Sequence, residues 1–125
     1  MMKSKLMAAA LLGLSVLSFN AAMAHGDNKP KHGGIVAAAS DLHFELVGTP
    51  TGAFIYIDDH GKPMAPTGMS GKLTVLNGAE KSEAALAVAG DKLEAKGVKL
   101  APGAKVVAAL TTPAKKAITV RFTVK

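Results

Sequence analysis

The chain reads as an all-β protein: a small antiparallel β-sandwich or barrel of about seven or eight strands, behind a cleaved signal peptide and a short flexible polar arm. Three observations predict this. From Gly34 onward apolar residues recur with period two and almost nowhere with a helical period. Clusters rich in Gly, Pro, Asp and Asn break that pattern at roughly ten-residue intervals, as sandwiches and small barrels require. The first 24 residues have the three-part layout of an export signal.

That signal opens with Lys3 and Lys5, continues through the apolar run "LMAAALLGLSVLSF" and ends in "NAAMA", where Ala22 and Ala24 form an A-x-A cleavage site. The apolar run is about 14 residues, short of the roughly 20 that span a bilayer, so cleavage is expected rather than anchoring. No later apolar run is long enough to cross a membrane, so no membrane insertion is expected after cleavage. The expected product is periplasmic. It comprises a flexible arm over 25–33 and one domain over 34–125, a length that supports a single core.

The expected strands follow in order. "GIVAAAS" leads into "DLHFELVG", where Leu42, Phe44 and Leu46 face one way and His43, Glu45 and Val47 the other. "TPTG" turns the chain into "AFIYID", and "DDHGKP" closes that strand. "GKLTVLN" and "SEAALAVA" are joined by "GAEK", and "GDK" introduces the short "LEAKG". After "APG" come "AKVVAALT", the turn "TPAKK" and the final "AITVRFTVK", with Ile118, Val120, Phe122 and Val124 on one face. The alanine-rich stretches 37–39 and 84–89 carry helix propensity, but their flanking strands and missing caps argue for extended chain.

Composition narrows the function. Loss of Lys3 and Lys5 with the signal lowers the formal charge from +6 to +4, and the remaining lysines are scattered. Nucleic-acid binding needs a concentrated basic stripe, which is missing. A chain without cysteine has neither a disulfide nor a thiolate for catalysis or zinc. No nucleophile elbow, P-loop or dinucleotide fingerprint occurs, so no enzyme is expected.

What stands out is the placement of soft and borderline metal ligands. His25, His32, His43 and His60 all follow the signal, and Met64 and Met69 share the loop "PMAPTGMSG" just after His60. Taken singly, each has an ordinary reading. His25 is then a spectator in an arm, His43 an exposed strand residue, His60 a turn residue, and the methionines are packing. Together they fit copper, because imidazole suits copper and zinc and thioether selects Cu(I). Cleavage after Ala24 would also give His25 a free α-amine. That amine and the ring nitrogen can chelate one ion, and a further imidazole completes a nitrogen set suited to Cu(II).

The segments "HGGIVAAASDLHFELV", "YIDDHGKPM", "SGKLTVLNGAEKSEAALAVAGDKLEAKG" and "ITVRFTVK" resemble a family of small secreted β-proteins associated with heavy-metal efflux and copper resistance. The resemblance covers almost all of residues 32–125, with "HGG" and "FELV" its most recognisable parts. It implies periplasmic metal handling beside components of an efflux complex, and it carries His32 over from the HGG motif. Valine or alanine is expected in that family at positions 64 and 69, so Met64 and Met69 are departures from it.

The function expected is therefore a periplasmic metal-binding protein acting as scavenger or carrier, for copper ahead of zinc or nickel. Its ligands would be His25, His32 and His43, with His60, Met64 and Met69 secondary and Glu45 a supporting partner or weak oxygen ligand. The main alternative is a non-catalytic structural or protein-interaction module of the envelope with incidental histidines. A copper oxidase or oxygenase is a third reading. It lacks a substrate platform, since only four aromatics follow the signal.

Overall fold

The computed structural model describes residues 29–125. The expected signal peptide and His25 lie outside the described residues. Nine strands make up the fold: β1 (Ile35–Ala39), β2 (Leu42–Thr49), β3 (Gly52–Asp59), β4 (Lys62–Met64), β5 (Ser70–Asn77), β6 (Glu80–Ala89), β7 (Lys92–Lys96), β8 (Lys105–Thr111) and β9 (Ala117–Thr123). None of the described residues is helical, and both alanine-rich stretches are extended. Eight of these strands are those the sequence predicts. The ninth, β4, is three residues long and contains Pro63, so it offers no alternation to read.

All pairings are antiparallel, in the order β1-β2-β3-β7-β6-β5-β8-β9, and β4 adds to β3 beside β7. β1 lies against β9, so the sheet curls into a nearly closed barrel. The ten-residue β6 makes the curl possible. Its first part, Glu80–Leu86, pairs with β5, and its last three residues, Ala87–Ala89, pair with β7.

The core follows from alternation. Phe44 and Leu46 on β2, Ile55 on β3, Leu73 and Val75 on β5, Leu93 on β7, Val106 and Leu110 on β8 and Val120 on β9 are all essentially sealed from solvent. Each such side chain contributes about 1.5–3 kcal/mol through burial. On β9 Ile118, Val120 and Phe122 point inward and Thr119, Arg121 and Thr123 outward, as the pattern requires. Inward placement of Phe44 and Leu46 sends His43, Glu45 and Val47 to the outer face of the wall.

Two hairpin details position the site. β3 turns into β4 through His60 and Gly61, which have φ of 53° and 89°. This is the left-handed pair that a two-residue hairpin turn demands. Along β3, pairing with β7 ends at Ile55 and pairing with β4 begins at Ile57, so Tyr56 has no ladder partner on that side.

Candidate functional site

The site is built on the outer face of β2 and β3, where the end of the polar arm crosses them. Glu45 organises it. This carboxylate sits on a wall strand yet is only 7% exposed, because the arm covers it. Its Oε1 accepts from the Lys31 backbone N–H at 3.1 Å and meets His32 Nδ1 at 2.9 Å. Its Oε2 accepts from the backbone N–H groups of His32 and Gly34, both at 2.8 Å. A carboxylate offers about four acceptor positions, and all four are taken.

Burial raises the Glu45 pKa. The His32 ring and the N–H groups of Gly34, His32 and Lys31 outweigh it, and hold the carboxyl below its ordinary value. The group is therefore ionised at neutral pH and only accepts. It follows that His32 Nδ1 carries the proton and, in the neutral ring, Nε2 keeps the lone pair. The ring is also fixed in orientation, for it stacks on Tyr56 with centroids 3.6 Å apart and planes 7° from parallel. Tyr56 lies opposite Glu45 across the β2–β3 ladder, so one cross-strand pair supplies both restraints.

The HGG motif has a backbone explanation. Gly33 has φ of +75°, a left-handed conformation that turns the arm so that successive N–H groups converge on one carboxylate. At Gly34 a Cβ would lie 2.3 Å from the Leu46 carbonyl oxygen, so only glycine fits against β2. Lys31 completes the attachment. Its Nζ lies 2.8 Å from Asp58 Oδ1 and donates to the Gly61 carbonyl at 3.2 Å, while Asp58 Oδ2 accepts from the Gly61 N–H at 2.8 Å. The Lys31 ammonium lowers the Asp58 pKa most strongly, and the Gly61 N–H adds to that against burial.

Beside this attachment is a pocket of about 300 Å³. Lys29, Lys31 and His32 of the arm line it, with Val36 of β1 and His43, Phe44 and Glu45 of β2. Tyr56, Ile57 and Asp58 of β3 face it from the wall, and Pro63, Met64, Ala65 and Asp91 close it where β3 lacks a ladder partner. His43 is opposite Asp58 in the ladder. Its Nδ1 is shielded from solvent and has no hydrogen-bond partner among the described residues. Leaving a polar atom bare in this way costs about 1–3 kcal/mol unless something pairs with it.

The six ligand candidates thus separate. His32, His43 and Met64 line one pocket. His60 does not line it: its side chain is 80% exposed and Nδ1 lies 2.5 Å from Asp59 Oδ1, on a turn whose dihedrals explain the residue without a ligand. Met69 is 5% exposed and belongs to the hydrophobic core, while Met64 is only partly buried. A turn closed by the Met69 N–H donating to the Pro66 carbonyl at 3.0 Å carries Met69 inward. His25 lies outside the described residues. Among the described residues no three His, Asp or Glu side chains are grouped so as to hold one ion.

Sequence reasoning missed Tyr56, Lys31 and Asp58 as the groups that hold the arm. The contacts by which they hold the arm join residues 14 to 30 apart in the chain, and only the doubled glycine after His32 signalled a special backbone requirement there. No family model, curated protein or solved structure matches the chain.

Proposed function

We propose that this chain is a periplasmic metal-binding protein, for copper ahead of zinc or nickel, that scavenges or carries the ion beside a metal-efflux system. The observation that supports it is the pair of histidines in one pocket. The Glu45 carboxylate holds His32 in the tautomer that keeps a lone pair on Nε2, and His43 carries a nitrogen without a partner among the described residues. A carboxylate behind a ligating imidazole is the usual supporting arrangement in metal sites, because it fixes the ring and raises its basicity. With its acceptors filled, Glu45 acts through His32 and is no oxygen ligand itself.

His25 fits the same reading by reach. Lys29 lines the pocket, and four residues of chain span at most about 14 Å, so an N-terminal histidine and its amine can return to the pocket mouth. The experiment is thermal unfolding of exported, processed protein with and without Cu(II) or Zn(II). Binding to the folded state alone at a hundredfold excess over Kd adds about 2.7 kcal/mol, which raises Tm by roughly 10–20 °C for a domain of this size. The His32→Ala/His43→Ala variant should lose that rise. Identical melting of the wild type with and without metal would instead favour the protein-interaction module.

A further inference from the structure

Basic residues that lie far apart in the sequence are gathered by the ladders onto one wall. In β5, β6, β8 and β9 the apolar residues alternate inward, so Lys72, Lys81, Lys105 and Arg121 all point outward and are exposed. Glu83 is the one carboxylate among the outward residues of these four strands, for Glu80 alternates to the other face at the hairpin end. Lys72 and Lys81 both reach Glu83 Oε2, at 3.4 and 3.5 Å. Lys105 Nζ meets the Thr123 hydroxyl at 3.4 Å, and neither Lys105 nor Arg121 has a carboxylate partner among the described residues. Four cations against one carboxylate leave the wall with a net charge of +3. The loops beside it do not offset this, because Gly97 to Lys125 holds six basic residues and no acidic one.

The arrangement selects the partner. Lys81 and Arg121 stand on the two outer strands of the four, about 14 Å apart at ordinary strand spacing, so the charges spread over the wall and do not cage one anion. No aromatic side chain is among them: Phe122 of β9 points into the core, and the other described aromatics belong to β2 and β3. The wall therefore lacks the aromatic anchors that hold a protein partner. Spread positive charge without an anchor matches a surface whose negative charge is spread likewise. We infer that the outer wall of β5, β6, β8 and β9 rests on an anionic phospholipid bilayer, as a peripheral contact at the headgroup phosphates. In the ladder order β5 and β8 stand four places from β2 and β3, so this wall is opposite the arm and its pocket on the nearly closed circuit. A molecule seated this way turns the pocket toward the water. Seating on lipid does not depend on the pocket holding a metal.

The experiment is flotation of the exported, processed protein with vesicles of phosphatidylcholine, alone or with about a third phosphatidylglycerol. Protein should float only with the anionic vesicles and should leave them at about 0.5 M salt, where the charges are screened within a few ångströms. Each basic residue near such a surface strengthens binding about fivefold, so Lys105→Ser/Arg121→Ser should weaken it about twenty-five-fold. Lys105→Arg/Arg121→Lys keeps both charges and should bind as the wild type does. Lys62→Ser/Lys96→Ser removes the same charge from exposed positions on the β3 and β7 side and should also leave binding unchanged. Equal losses in the two serine variants, or flotation with neutral vesicles that salt does not reverse, overturns the assignment. Failure to float with anionic vesicles overturns it as well, and retention on immobilised polyglutamate in that event gives the wall to an acidic protein instead.

Discussion

Replacing Glu45 by glutamine changes one atom and should release the arm. Four hydrogen bonds to an ionised group contribute about 1.5–3 kcal/mol each, or about 6–12 kcal/mol together. Fixing the backbone of residues 31–34 opposes this by about 1–2 kcal/mol per residue, or about 4–8 kcal/mol. The docked arm is therefore favoured by only a few kcal/mol. In Glu45→Gln the amide oxygen still accepts two bonds, but the NH₂ group meets two N–H donors and can accept from neither. Losing two charge-assisted bonds removes about 3–6 kcal/mol, as much as the whole margin. Hydrogen exchange at the Lys31, His32 and Gly34 amides should then speed up by about a hundredfold or more, at roughly 1.4 kcal/mol per factor of ten. The His32 ring should also lose its single tautomer, which ¹⁵N chemical shifts report directly. Global stability should fall by no more than the docking margin of a few kcal/mol, since no strand ladder passes through the Glu45 side chain and the barrel stays folded with the arm released. Equal protection of the three amides in wild type and variant would refute the claim that the carboxylate holds the arm.

Two further outcomes follow from the same contacts. Because the Glu45 pKa is lowered on folding, its stabilisation of the arm is fully present above the ordinary value of 4.5 and is lost as pH falls through the lower folded value. Exchange of the arm amides in metal-free protein, corrected for intrinsic rate, should be flat from neutral pH to about 4.5 and accelerate below it. Met69→Ala should cost about 2–5 kcal/mol in chemical denaturation and Met64→Ala about 1 kcal/mol, because only Met69 is enclosed by the core.

The sequence and the structure agree best where a residue's role depends on its neighbours along the chain. Alternation around Phe44, Leu46, Ile118, Val120 and Phe122 placed the inner face, and with it the outward direction of His43 and Glu45. β4 escaped notice because a three-residue strand with a proline has no period. The choice between sandwich and barrel was not legible, since it depends on β6 changing partner after Leu86, which no local signal marks. The site was half legible. Residue types singled out His32, His43 and Met64, but the same reasoning grouped Met69 with Met64, although a turn sends one to the core and leaves the other at the pocket. The convergence of four N–H groups on Glu45 spans 11 to 14 residues of chain and depends on the arm folding back over β2.

The ladder order divides the barrel by ancestry along the chain. Residues 35–64 form one meander through neighbouring hairpins, residues 70–96 form a second, and residues 105–123 form a closing hairpin. Only the β3–β7 and β5–β8 ladders join these three blocks. Every group that holds the arm, from Lys31 to Gly61, belongs to the first block and the arm before it; the other two complete the wall. The chain thus gathers the arm's attachment into one tract of sequence, which shares the scaffold with the other two. Substitutions in the first tract bear on the arm and its pocket as well as on the core, while those at inward positions in the rest bear chiefly on how firmly the barrel is held shut.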